Sequence, residues 1–334
     1  MSKKVLVLGS TGAMGQYLVP YLSDMGYRVT AVSLDDEKPY SERVRTVKAN
    51  GKDVEFLAKT LAEGEGYDAV VDFMVYCDDD FKDRYKLFLD NTSHYIYLST
   101  YRIYADEEHP IKESSPRLLE ATTDEALRAS NDYCIYKAKG EDILLSSGYS
   151  NFTIVRPAIT YSKMRYQLVT LEVQNTVARA RAGKKVIVPI EAKDKAATMS
   201  WAGDVAKMIA LLLFKKEAMR ETFSVTTSEH HTWGEIAEYY REICGLEAVW
   251  VPEEEFLAAL GPNDLTVARR QLEYDRLFDR IMDNSKILSV TGMRVEELMP
   301  LYDGLKYEIS RYDESVTLKN NDAMDKYIEQ KGIK

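Results

Sequence analysis

Hydrophobic positions in the first half of the chain fall into short runs separated by amphipathic stretches. Val5–Leu8 is an apolar run that ends at Gly9. From Gly12 to about Asp24 the apolar residues Leu18 and Leu22 share a face with Tyr21, which predicts a helix. Pro20 lies inside it and predicts a kink or a short helix. Further strands are predicted at Arg28–Leu34, Val44–Lys48, Ala69–Val75, His94–Leu98 and Asn151–Val155, with helices at Val54–Glu63 and Thr123–Ser147. Strands alternating with helices predict βαβ units and a doubly wound parallel sheet buried on both faces.

The second half is less regular. Lys184–Pro189 and Thr222–Thr226 read as strands, and Asp204–Lys215 as a helix with Asp204 as its cap. Thr232 and Glu235 form a capping box at the start of a helix that stops at Gly245. The organisation expected is residues 1–156 as one α/β domain, with 194–226 returning to it. Residues 157–193 and 227–312 form a smaller substrate lobe, and 313–334 a polar tail read as a peripheral helix or a frayed end. A chain of 334 residues has room for about two domains.

Charge narrows the function. With 44 Lys+Arg against 54 Asp+Glu the net charge is −10, which disfavours a general nucleic-acid binder, because basic side chains supply most non-specific affinity for phosphates. The longest apolar run, Met208–Phe214, is far below the ~18 residues that span a bilayer. The four apolar residues before Gly9 are too few for the core of a signal peptide. Three unclustered cysteines, Cys77, Cys134 and Cys244, suggest neither a disulfide framework nor a zinc site. A cytoplasmic protein without membrane or nucleic-acid partners is the expectation. No metal site is expected either: His230-His231 leads into the Thr232 cap, and Asp78–Asp80 reads as a solvated turn or helix start.

Candidate chemistry sits where strands end. Gly9-Ser-Thr11-Gly12-Ala13-Met14-Gly15 follows an apolar strand and opens a helix. Gly9 and Gly12 permit a tight turn and close approach to a pyrophosphate, Gly15 permits close helix–strand packing, and the helix N-terminus aims N–H groups at the phosphates. At the end of the second strand the ribose-binding position falls on Ser33, followed by Asp35 and Asp36. No cation stands there to pair a 2′-phosphate, so the pattern favours NAD over NADP. On the predicted long helix, Tyr133 and Lys137 are an i, i+4 pair. A lysine beside the phenol would lower its pKa toward the range useful for proton transfer. With 23 tyrosines the same spacing recurs at Tyr302/Lys306 and Tyr327/Lys331. Only the first follows a hydroxyl-rich strand end, Ser99-Thr100-Tyr101-Arg102-Ile-Tyr104, which places Thr100 to bond the same substrate oxygen.

These segments, with Val155-Arg156-Pro157 and Met199–Ala206, resemble the extended short-chain dehydrogenase/reductases, the NAD-dependent epimerase/dehydratase family. The resemblance spans residues 5–206 in the family's order. It implies a Rossmann fold with a C-terminal substrate lobe, Tyr133 as acid/base, Lys137 on the nicotinamide ribose, and Thr100 positioning substrate. It also implies Asn50 near the adenine, and Phe73 and Met74 lining the cofactor through their backbone, with Pro157 beside it. Family dehydratases carry Asp-Glu after the threonine; here Tyr101 and Arg102 stand there, which disfavours dehydration. Epimerases usually carry an Asn after the Arg-Pro strand end to hold a diphosphate, and Arg156-Pro-Ala-Ile-Thr160 has none. Lys163, Arg165 and Arg179 are alternative phosphate partners, or solvated charges. Members often dimerise through helices that include the one bearing Tyr133, so a homodimer is the matching expectation.

Three functional readings follow. The first is an NAD-dependent epimerase or oxidoreductase of a sugar or sugar nucleotide. The second is a net NAD(P)-dependent reductase or dehydrogenase. The third is a non-catalytic NAD(P)-sensing or RNA-binding relative. Tyr97, Tyr101, Tyr104, Tyr133 and Tyr136 are further expected to form a stacking wall for a carbohydrate-like ligand.

Overall fold

The computed structural model describes residues 2–62, 66–261 and 265–333; Glu63, the predicted last residue of its helix, lies outside them. Seven strands form one parallel sheet. They are β1 (Lys4–Leu8), β2 (Arg28–Ser33), β3 (Val44–Lys48), β4 (Ala69–Asp72), β5 (His94–Leu98), β6 (Phe152–Val155) and β7 (Glu221–Phe223). Their spatial order is β7-β6-β5-β4-β1-β2-β3, and every pairing is parallel. The order reverses between β4 and β1. In open α/β sheets a ligand crevice opens there, beyond the carboxyl ends of the strands.

Both faces are covered, which explains the unbroken apolar runs. On one face the helices Gly15–Asp24 and Ala202–Leu212 bury Leu18, Leu22, Val205 and Ile209, and residues 285–298 return to add Ile287 and Met293. On the other, Leu57, Phe88 and Leu144 pack on Leu6, Val70 and Tyr95. The third core belongs to the second lobe. Its parallel pair Val186–Pro189 and Ala248–Val251 packs with Trp233, Ile236, Tyr240, Phe256 and Leu305. The Thr232/Glu235 capping box forms as read from the sequence. The C-terminal helix Asp322–Gln330 buries Met324 against this core.

Two expectations are corrected. The stretch 123–147 is not one helix. It breaks between Glu125–Arg128 and Tyr133–Ser146. Ser130 bonds the Leu127 carbonyl and the Asp132 amide, and Asp132, in extended conformation, accepts the Cys134 amide at 3.2 Å. Such a cap starts a new helix, so Tyr133 is a first-turn residue. Nor does Asp204 cap its helix: its carboxylate accepts the Met299 amide at 2.7 Å, because residues 285–298 lead the chain past it.

Candidate active site

A cavity of about 690 Å³ opens at the switch point between β1 and β4. The cradle at one end comes straight from the loop after β1. Gly9 has φ +84°, a conformation that strongly favours glycine. A Cβ on Gly15 would lie 2.4 Å from the Gly9 carbonyl oxygen and 2.6 Å from that of Ser10, so only glycine lets the helix start beneath the loop. Gly9, Thr11, Gly12, Ala13, Met14 and Gly15 all line the cavity. This backbone cradle at a helix N-terminus fits a dinucleotide pyrophosphate.

Ser33, Asp35, Asn50, Phe73, Met74 and Pro157 line the same space. Ser33 Oγ accepts the Asp35 amide at 3.1 Å, which turns the chain so that Asp35 faces the cavity. Asp36 instead pairs with Lys48 outside it. Phe73 and Met74 line the wall, but their amides are spent within the fold, on the Leu8 carbonyl (3.0 Å) and the Asp72 carboxylate (2.9 Å). A backbone contact to a ligand would therefore fall to their carbonyls. Sequence reasoning missed Lys52, which also borders the cavity; nothing in its spacing marks it.

At the opposite wall Thr100 and Tyr133 meet. Thr100 caps a short turn after β5, accepting the Arg102 amide at 3.2 Å, and its hydroxyl is among the groups that pull the Tyr133 phenol down. Both line the cavity; neither residue of the Tyr302/Lys306 or Tyr327/Lys331 pairs does. Lys137 lies behind this wall. It is fully buried, donates to the Leu98 carbonyl oxygen, and its nitrogen is 4.9 Å from the Tyr97 ring centre and 6.0 Å from that of Tyr133. Burial pushes its pKa down, while Asp72 and Glu141 oppose the shift.

The electrostatics of Tyr133 differ from the sequence expectation. Burial pushes its phenol up, and the groups that pull it back are Arg102, the Thr100 hydroxyl and Arg165. Lys137 donates to the Leu98 carbonyl instead. Arg102 lies with its guanidinium carbon 5.3 Å from the centre of the Tyr133 ring, within cation–π range.

The far end of the cavity is polar and comes from the second lobe: Arg165, Gln167, Glu172, Gln271 and Arg276. Arg276 is set by a buried network. Asp275 accepts Tyr101 Oη at 3.0 Å and pairs with Arg102 (3.3 Å), Arg280 (3.1 Å) and Arg276. Of the three cations considered as phosphate partners, only Arg165 lines the cavity. Lys163 pairs with Asp313 at 3.2 Å, and Arg179 is buried on Asp325 at 2.8 Å. Arg156 is occupied too, gripping Glu141 of the Tyr133 helix at 2.8 and 2.6 Å.

The tyrosine wall does not form. Tyr97 and Tyr104 are core residues, Tyr136 lies off the cavity, and only Tyr101 and Tyr133 border it. β5 is buried on both faces, which draws its tyrosines inward. Trp201 lies off the cavity, its indole donating to buried Glu308 and meeting Tyr17 edge-on at 5.2 Å. Among the described residues no His/Cys/Asp/Glu group could hold a metal ion, and no helix is long and apolar enough to cross a membrane.

The chain matches the model of the NAD dependent epimerase/dehydratase family over residues 5–225. No curated protein matches it. Solved structures share the fold at low identity. An epimerase, Mth375, from Methanothermobacter thermautotrophicus is 16% identical, with 92% of this chain and 91% of that one covered and a TM-score of 0.69. The UDP-glucose 4-epimerase of Thermus thermophilus, in complex with NAD, is 18% identical with 94% and 100% covered and a TM-score of 0.65. The dTDP-glucose 4,6-dehydratase of Bacillus anthracis, also with NAD, is 16% identical with 94% and 97% covered and a TM-score of 0.69.

Proposed function

The chain belongs to the NAD-dependent epimerase/dehydratase family, and we propose that within it this protein is an NAD-dependent epimerase of a sugar or sugar nucleotide. The observation that carries this reading is that Thr100 and Tyr133 line the same cavity as the glycine cradle. NAD held in the cradle would supply the hydride acceptor and, on return, the donor. Gly9 to Gly15 would take its pyrophosphate and Asp35 its ribose hydroxyls, a carboxylate that disfavours a 2′-phosphate. Neighbours of this fold are described with NAD.

Tyr133 would take the proton from a secondary hydroxyl as its carbon is oxidised to a ketone, while Thr100 holds the same oxygen. Rotation of the ketone and return of hydride and proton to the opposite face would invert that carbon. Elimination is disfavoured by the two residues after Thr100. Tyr101 is tied to Asp275, and Arg102 carries a guanidinium that does not exchange protons near neutral pH.

The test is a panel of UDP- and dTDP-sugars with NAD, read by product stereochemistry and by reduced-nicotinamide absorbance. Epimerisation without net absorbance change is expected, and Tyr133→Phe should lower turnover by about 10²–10⁴-fold while leaving NAD binding intact. Unchanged turnover in that variant would overturn the mechanism. Absorbance rising in step with substrate consumed would make the protein a net dehydrogenase.

A further inference from the structure

Arg102 stands where an acid would serve elimination, and the structure gives it a different place. It sits in the short turn directly after Thr100 and lines the cavity, its side chain 13% exposed. Its guanidinium reaches three things at once. One is the Tyr133 ring, at 5.3 Å. The second is Asp132, at 3.7 Å, whose side chain caps the helix that begins at Tyr133. The third is Asp275 of the second lobe, at 3.3 Å. Among the described residues, Arg102 is the one with ion pairs to both the cap of the tyrosine helix and the buried Asp275.

We propose that Arg102 is the positioning residue of Tyr133: it holds the start of the tyrosine helix against Thr100 and supplies the positive charge that favours the phenolate. This rests on the reading of Tyr133 as the acid/base. The charged and titratable groups around the phenol come from every side. Arg102 is in the turn after β5, and Tyr97 is on β5 itself. Arg165 is in the loop after Ile159–Tyr161, and Asp275 is in the second lobe. Asp132, Tyr136 and Lys137 belong to its own helix and cap. Among them Arg102 and Arg165 pull the phenol down, Arg102 more strongly, while the Lys137 ammonium, 6.0 Å from the ring centre, donates to the Leu98 carbonyl. Arg165 is exposed, so solvent screens it more than Arg102. Losing Arg102 leaves Asp275 with Arg276 and Arg280, and leaves Asp132 its cap bond, so neither carboxylate is stranded.

The test reads Tyr133 directly. Protein labelled with [13Cζ]tyrosine and saturated with NAD⁺ is titrated from pH 6 upward by NMR, with Tyr133 assigned as the resonance lost in Tyr133→Phe. In Arg102→Met and in Arg102→Gln, a polar alternative should one variant fail to fold, the Tyr133 midpoint should rise by about one unit or more. Arg102→Lys, which keeps the charge, should stay near wild type. A midpoint unmoved in both neutral variants overturns the proposal. Turnover separates the two claims. If Tyr133→Phe is inactive and the midpoint does not move, Arg102 alone is wrong. If Tyr133→Phe keeps full turnover, the catalytic reading falls whatever the midpoint does.

Discussion

The end of the cavity proposed to hold the cofactor is made of backbone, glycines and small side chains, and each wall segment lies at or directly after the end of a sheet strand: 9–15 after β1, 33–35 at the end of β2, 49–52 after β3 and 73–75 after β4. The end proposed for the substrate is made of long polar side chains, and its supports are remote in sequence; Tyr101 and Asp275 bond across 174 positions. The first end is shaped by local steric necessity, the second by a buried charge network joining two lobes. Damage should therefore spread differently. At the cofactor end a substitution changes fit to a ligand, whereas at the substrate end it also removes a support of the fold.

The largest effect expected from this contrast is at Asp275. It is fully buried and serves three arginines and a tyrosine. Asp275→Ala strands those cations, and breaking a buried pair in this way costs about 3–5 kcal/mol, read as a lower urea midpoint. Its pH signature is fixed in sign. Burial pushes the carboxyl up, but Arg276, Arg280 and Arg102 outweigh it and hold the pKa below the usual range. A depressed carboxylate contributes stability that is complete above the unfolded value, about 3.9, and is lost as pH falls through the folded value. The wild-type midpoint should therefore drop below about pH 4, and less of that drop should remain in Asp275→Asn. An Asp275→Ala protein as stable as wild type would show that the lobes are not joined through this network.

At the cofactor end the largest effect is at Gly15. A methyl there meets backbone oxygens at 2.4 and 2.6 Å, so the loop itself must move, at a cost of about 1–3 kcal/mol. Gly12 has more room, its Cβ 3.3 Å from the Gly9 oxygen, and Gly12→Ala should lose less. Calorimetric titration with NAD should rank affinities as wild type, Gly12→Ala, Gly15→Ala. The reverse order would mean that the cradle is shaped by something other than this contact.

The same contrast explains what could be read from the sequence. The parallel sheet and the glycine loop after its first strand were legible because apolar runs, glycines and strand ends are local signals. Thr100 stood out by its place at a strand end and Tyr133 by its spacing to Lys137, and both line the cavity. The misreadings arise where a tertiary partner decides. The helix start at Tyr133 depends on Ser130 and Asp132 turning the chain, and Asp204 is claimed by Met299, 95 positions away. Lys137 turns to a carbonyl, and Tyr97 and Tyr104 face the core. Arg276 and Gln271 carry no local pattern at all, since only the fold of the second lobe brings them to the cavity.

A smaller effect separates the two adjacent aspartates. Asp35 lines the cavity, and Asp36 pairs with Lys48 in solvent. Asp35→Asn should weaken NAD by about tenfold, as loss of one charge-assisted hydrogen bond does, and should narrow the preference over NADP. Asp36→Asn should leave both affinities as they are. Equal effects at the two positions would remove the ribose assignment from Asp35.

The smallest stability effect is expected at Arg165, and it is the most selective probe of the substrate end. Arg165 and Arg179 are both second-lobe arginines, and they should behave in opposite ways. Arg179 is buried, donates to the Lys185 carbonyl at 2.7 Å and holds the C-terminal helix through Asp325. Arg179→Met should lower stability and leave the affinity for a sugar nucleotide unchanged. Arg165 is exposed at the cavity wall and makes no ion pair among the described residues. Arg165→Met should stay within about 0.5 kcal/mol of wild type in unfolding and keep NAD affinity. It should raise the KM for whichever sugar nucleotide the panel identifies, and the increase should shrink at high salt, because an exposed charge is screened. An unchanged KM would mean that the substrate end recognises its ligand through Arg276 and the neutral amides of Gln167 and Gln271.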